Sequence, residues 1–110
     1  MLPRRLQGLP SRYLTSGGTA IEATTLASRL LGLAFLRELP SEYALLIPRC
    51  RSVHTFGMRF RLDVVFLDER GRAIRVELDV PAWRILVCRR AFAVLEARAG
   101  EIELFLGSVD

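Results

Sequence analysis

Val64-Val65-Phe66-Leu67 is apolar at four consecutive positions. A strand shows alternate side chains to opposite faces, so a run that is apolar throughout has no face for water. The chain must therefore build a layer on each side of this strand, and the rest of the sequence has to supply both. With 110 residues it has the length of one domain around one core. Hydrophobic residues make up 51% and charged residues 25%, the balance of a packed globule and not of a disordered chain.

The hydrophobic period changes along the chain. Residues 1–18 contain Pro3, Pro10, Gly8, Gly17 and Gly18 without a clean period and read as a loose arm with room for one early strand; residues 19–110 read as a single domain. Residues 20–23 form a short strand. Thr24 or Thr25 is placed as a helix N-cap. Beyond it, Leu26, Leu30 and Leu33, with Leu31 and Ala34, fall at helical spacing and predict a wide buried stripe. Gly32 weakens such a helix by about 1 kcal/mol against alanine, which points to a close packing contact. Pro40 and Ser41 end the segment.

After Pro40 the period is two. Residues 43–47 form a strand closed by Pro48. Residues 53–56 are extended up to a bulge or turn at Gly57, and residues 59–68 form the strand that carries the apolar run. Asp68-Glu69-Arg70-Gly71 is a hairpin loop ending on a glycine at positive φ. On the returning strand Ile74, Val76, Leu78 and Val80 are expected inside and Arg75, Glu77 and Asp79 in water. Residues 83–88 and 92–96 give two further strands joined by the basic turn Arg89-Arg90, and residues 99–106 a short closing helix. Six or seven short strands with one N-terminal helix and a short C-terminal helix make a mainly β (α+β) fold, a small β-sandwich or partly open barrel.

All 16 basic residues are arginine, against 12 acidic ones, for a net charge of +4. That permits an anionic partner without requiring one, although the guanidinium fork suits carboxylate and phosphate. Residues 30–36, between Arg29 and Arg37, fall well short of the roughly 20 apolar residues of a membrane span. No apolar stretch follows Arg4-Arg5, so no export signal is read and a cytoplasmic location is expected. Cys50 and Cys88 are too few for a disulfide framework. Free thiols are expected, a bridge being open only if their strands lie side by side.

Residues 50–68 hold the only histidine, one of the two cysteines and two of the four aspartates. Cys50, His54 and Asp63 offer a nucleophile, a base and an orienting acid. Residues four apart on a straight strand, however, are about 13 Å apart, so only a bulge or tight turn would join Cys50 to His54. The structural alternative is a histidine bonded to backbone or to Asp63. Asp63 precedes the apolar run and, if buried, needs an ion pair with Arg59, Arg61 or His54, or backbone donors. Three Cys and His residues fall short of the four of a structural zinc site, so no metal and no cofactor is assigned. Arg49, Arg51, Arg59 and Arg61 cluster in sequence, and Arg89 with Arg90 form a second pair. Brought to one rim they would cradle an anion, with Phe56, Phe60 and Trp83 for stacking; left apart they are a solvated face. No nucleic-acid signature is present.

The segment Ser52-Val-His-Thr-Phe-Gly-Met-Arg-Phe60 followed by Leu62-Asp-Val-Val-Phe-Leu-Asp68 resembles the core of the DUF192 family, also called UPF0127. Supporting pieces stand in the same order: Ala23-Thr-Thr25 ahead of Gly32-Leu33, Pro81-Ala-Trp-Arg84 after the hairpin, and Ala93-Val-Leu-Glu96 ahead of Ala99-Gly100. The resemblance spans residues 19–106. It implies a small, mainly β fold with an N-terminal helix, and no activity, since none is assigned to the family. Arg61 stands where the family usually has a proline. Residues 107–110 stand where members tend to carry a further Gly-Asp-containing strand, and a missing strand would leave a sheet edge open or paired with another chain. The expectation is a non-enzymatic binding or accessory domain. Its ligand-binding residues would be Arg49, Arg51, His54, Arg59, Arg61, Asp63 and Trp83, and its ligand an anionic small molecule or a protein partner. The alternatives are a hydrolase-like enzyme using Cys50, His54 and Asp63, and a homo-oligomeric interaction module; a monomer or weak homodimer is expected.

Overall fold

The computed structural model describes residues 2–14 and 17–106. A 3-10 turn, Arg4–Leu6, is followed by β1 Ser11–Tyr13, β2 Thr19–Glu22, α1 Leu26–Leu31, β3 Tyr43–Pro48, β4 Ser52–His54, β5 Leu62–Leu67, β6 Ala73–Val80, β7 Ile85–Val87, β8 Ala93–Arg98 and α2 Glu103–Leu106. Six strands form one sheet in the order β1-β2-β3-β8-β5-β6, and β4 with β7 form a separate two-stranded ribbon. Among the described residues only β2 and β3 pair in parallel. That pairing needs a crossover, which α1 supplies. The mainly β class holds, in the form of one open sheet with a ribbon beside it and two short helices. Residues 107–110, on which the expectation of a missing closing strand rests, lie outside the described residues. No helix among the described residues is long and apolar enough to cross a membrane.

All six residues of β5 are buried, as the apolar run requires. Leu62, Val64 and Phe66 face one core cluster with Leu6, Leu33, Leu39, Leu45, Ile47, Val53 and Val94. Val65 and Leu67 face the other, with Ala44, Ala93, Leu95, Ala97, Ile102 and Phe105. The first side (face one) is covered by the 3-10 turn, the chain after α1 and the ribbon; the second (face two) by α2. Full burial of Phe66 or Phe105 is worth roughly 2–3 kcal/mol each. Residues 93–97 are equally buried, which is why β8 sits centrally between β3 and β5 instead of pairing with β7 across the Arg89-Arg90 turn. Within the arm, Leu6 is buried and β1 pairs with β2.

Two expectations are corrected. The helix is one and a half turns long and its leucine stripe is not buried: Leu26 is 74% and Leu30 62% exposed. Gly32 (φ 55°) ends α1, so the buried Leu33 and Ala34 belong to the chain beyond it. What α1 turns inward is Ser28, in a reciprocal capping box: its N–H donates to Thr25 Oγ1 at 3.1 Å, and its Oγ accepts from Thr25 N–H at 3.0 Å. On β6, Ile74, Val76 and Leu78 are exposed while Val80 is buried. A bulge between Leu62 and Val64 shifts the register against β6, with Asp79 at φ 53°. Val80 therefore packs on face one, while Val76 opposes Val65 on face two. There the four-residue α2 leaves the edge strand uncovered. On face one, Arg75 stacks over Phe66 at 5.5 Å and donates to Val87 O at 2.7 Å, tying the sheet edge to the ribbon.

Candidate functional site

The His54-Thr-Phe-Gly57 block is a set of four devices. Phe56 N–H donates to His54 Nδ1 at 3.2 Å, which leaves the proton on Nε2 to reach Leu30 O at 3.1 Å. His54 thus satisfies one of the orphan carbonyls at the end of α1. Thr55 is fully buried and clamps the loop between β6 and β7. Its N–H donates to Arg84 O at 2.9 Å, its O accepts from Trp83 N–H at 3.2 Å, and its hydroxyl donates to Pro81 O and accepts from Arg84 N–H, both at 2.8 Å. The clamped loop holds Trp83 at φ 68°, 70% exposed. Phe56 links the two rings, with centroids 5.3 Å from His54 and 5.5 Å from Trp83. Gly57 lies at φ 78°, and a Cβ there would meet the Phe35 ring at 2.6 Å.

His54 opposes Ile85 and Ser52 opposes Val87 across the ribbon. Buried Val53 and its partner Leu86 pack on the core. The outer face therefore carries Ser52, His54, Ile85 and Val87, leading to Phe56 and Trp83. Leu30, Ile85, Val87 and Trp83 are all more than half exposed, so α1 and the ribbon present an apolar surface.

The proposed relay is not assembled. Cys50 Sγ donates to Ser52 O at 3.1 Å, and burial pushes its thiol above the ordinary value, opposite to what a nucleophile needs. Both cysteines are free. Both nitrogens of His54 are engaged by backbone. Asp63 opposes Ala97 on face two, the side of the sheet away from His54. It accepts from the N–H groups of Asp79 at 2.9 Å, Gly100 at 2.8 Å and Ile102 at 3.4 Å. It is a backbone-bonded carboxylate that fixes the β6 bulge and the approach to α2.

The arginines divide. Arg61 pairs with Asp79 at 2.8 Å. The backbone of Arg49 and Arg51 lies at the same end of the ribbon as that of Arg89 and Arg90, because Cys88 N–H donates to Arg51 O at 2.8 Å and Cys50 N–H to Phe92 O at 3.0 Å. Trp83 lies at the ribbon's other end. Arg59 is exposed.

The residue that sequence reasoning passed over as a site is Glu96. It lies on β8 between Leu45 of β3 and Val64 of β5, facing core cluster one and 2% exposed. Its Oε1 has no hydrogen-bond partner among the described residues. Burial raises its pKa from 4.5 to about 7. It lines a cleft of about 220 Å³ whose walls are Arg29, Leu30, Leu31, Gly32, Ile47, Ser52, Val53 and His54. Gly32 forms part of this wall because it carries no side chain: a Cβ there would stand 2.9 Å from Glu96 Oε1. The available signal was a lone acid inside the small, apolar run Ala93–Ala97, a position where a charge needs a reason. A larger hollow of about 400 Å³, lined by Leu14, Leu46, Leu67, Leu95 and Phe105 among others, lies on face two. It includes no buried polar atom left without a partner among the described residues. No group of three or more His, Cys, Asp or Glu able to hold a metal is found among the described residues.

Two solved structures share the fold. A protein of unknown function from Novosphingobium aromaticivorans DSM 12444 is 22% identical with a TM-score of 0.72, covering 97% of this chain and 85% of that one. A protein from Sinorhizobium meliloti 1021 named a "putative transcription regulator" is 21% identical with a TM-score of 0.68, covering 84% and 81%. No curated protein matches the chain significantly. The model of the DUF192 family, described as uncharacterized ACR, matches residues 14–106, a span that includes the His54 block, the Trp83 loop and the Glu96 strand: the chain belongs to the DUF192 family.

Proposed function

We propose that this chain is a non-enzymatic binding domain whose ligand is taken on the outer face of the β4–β7 ribbon and in the cleft beside α1. The observation that carries this reading is the display of Trp83. A buried threonine makes four hydrogen bonds to one loop, and the result is a large aromatic ring held in solvent at a backbone angle that side chains rarely adopt. Strain of this kind costs on the order of 1–3 kcal/mol and persists where surroundings enforce it. A rigid, exposed aromatic beside a concave wall is the anatomy of a binding site.

Tryptophan occurs once in the chain, so its fluorescence reports this surface alone. A stability screen of small molecules and peptides, read together with tryptophan emission, tests the reading. A ligand at about 100 times its Kd adds roughly 2.7 kcal/mol. Ligands that stabilise the fold should also shift Trp83 emission and lose affinity in Trp83→Ala. Stabilising ligands that leave the emission unchanged would place the binding surface elsewhere.

A second reading has its own observation. Arg49, Arg51, Arg89 and Arg90 gather at one end of the ribbon and are exposed, which suits an acidic partner or an anionic small molecule. Binding there should weaken with salt and fall when Arg49 and Arg51 become alanine. Salt-independent binding would exclude it.

A further inference from the structure

We infer that the cleft between α1 and the ribbon takes a cationic nitrogen, an ammonium or guanidinium on a short apolar stem, with the Glu96 carboxylate as its counter-charge. This assignment rests on the binding role proposed above and names the ligand chemistry of the same site.

Glu96 lies among groups that leave its carboxylate without a counter-charge. Its cross-strand neighbours Leu45 and Val64 are apolar and offer no donor. None of the charged side chains on the elements packed around it pairs with it among the described residues. Arg29 donates to Pro48 O at 2.7 Å and Arg49 O at 3.3 Å. Arg5 donates to the carbonyls of Gly32 and Ala34. His54 is held by Leu30 O and Phe56 N–H, and the Cys50 thiol donates to Ser52 O. Two guanidinium groups lie on elements around the cleft; both donate to backbone carbonyls, and Arg5 keeps a buried Nε without a partner, yet neither forms an ion pair with Glu96 among the described residues. A buried carboxylate without a partner is costly, and an incoming charged donor is what removes that cost.

The shape of the cleft narrows the ligand. About 220 Å³ is below the range that holds drug-sized molecules and fits a head group with a few carbons. Leu30, Leu31, Ile47 and Val53 supply apolar wall for the stem. His54 lines the cleft, and the Phe56 and Trp83 rings continue in a row from it, an aromatic surface that favours cations over anions. An anion would instead face the carboxylate.

The test uses the full chain and four probes: n-butylammonium, methylguanidinium, n-butanol and butyrate. Affinities are measured by calorimetry and by tryptophan emission in wild type, Glu96→Gln and Trp83→Ala. Head groups of this size bind with Kd on the order of 1 mM. The cations should bind at least about tenfold more tightly than the alcohol, and Glu96→Gln should remove that preference, since the charge-assisted bond is the strong one. Below neutral pH, ammonium binding should release a proton. Cations that bind no better than the alcohol, or that bind Glu96→Gln as well as wild type, would overturn the inference, as would no binding by any cation. If Trp83→Ala alone weakens the probes, the ribbon surface stands and the cation assignment falls; if Glu96→Gln alone does, the reverse holds. Parallel titrations with putrescine, acetyl-lysine amide and a dipeptide with a free N-terminus then separate a free amine from a side chain or terminus of a partner polypeptide.

Discussion

Replacing Glu96 by glutamine should change how stability depends on pH more than it changes stability itself. The carboxyl has an ordinary pKa of 4.5 and is pushed by burial to about 7 in the folded chain. Between these values the folded state binds more protons than the unfolded one, so stability falls as pH rises. The contribution of neutral Glu96 is fully present below about pH 4.5 and is lost as pH passes through about 7. At 1.36 kcal/mol for each tenfold change in proton affinity, the gap corresponds to about 3 kcal/mol. Glutamine has the same shape and cannot ionise. Urea unfolding of both proteins from pH 4.5 to 8.5 isolates the effect as the change in their difference. Wild type should lose about 3 kcal/mol relative to Glu96→Gln across that range, which is more than ten degrees in Tm for a domain of this size. Parallel stability curves would refute the reasoning, because a carboxyl with equal pKa in both states leaves no pH dependence.

Three further perturbations probe the frame around the cleft. Gly32→Ala puts a Cβ at a backbone angle of φ 55° and 2.9 Å from Glu96 Oε1. It should cost on the order of 2–3 kcal/mol, with about 1 kcal/mol recovered when Glu96 is also alanine; denaturant unfolding of the double-mutant cycle reads both. Asp63→Ala orphans the N–H groups of Asp79, Gly100 and Ile102 and should cost roughly 3 kcal/mol in the same assay while leaving probe binding at the cleft intact. Thr55→Val removes the hydroxyl that bonds Pro81 O and Arg84 N–H. It should cost about 1–3 kcal/mol and raise hydrogen exchange in the 81–84 loop; unchanged exchange would show that the loop holds without the clamp.

Some of this architecture is legible residue by residue. Val64-Val65-Phe66-Leu67 demands two layers, and the sheet with its ribbon and α2 provides them. Thr25 and Gly71 sit where cap and turn chemistry place them, the latter at φ 80°. Gly32 is read as a close contact and is one, against Glu96. Alternation tells which residues share a face but not which face is covered. Ile74, Val76 and Leu78 are therefore misread: a bulge at Asp79 and a short α2 decide their exposure, and neither is encoded locally. The spacing of Leu26 and Leu30 marks a helical face, yet the helix stops at Gly32 and that face stays outside. The Cys50, His54 and Asp63 relay is not assembled for a related reason. Cys50, His54 and Asp63 are close in sequence but fall on two sides of the sheet, while Glu96 reaches His54's cleft from a strand that is remote along the chain. Only the pairing of β8 between β3 and β5 shows that Glu96 is buried without a partner.

The most direct test of the cleft is the titration of the Glu96 side-chain carboxyl by carbon NMR, in the full chain, with and without saturating n-butylammonium. A midpoint near 7 that drops when the ammonium is added would show a buried, unpaired acid that takes a cation as its partner. A midpoint in the ordinary glutamate range, unmoved by the ammonium, would contradict both the burial and the ligand.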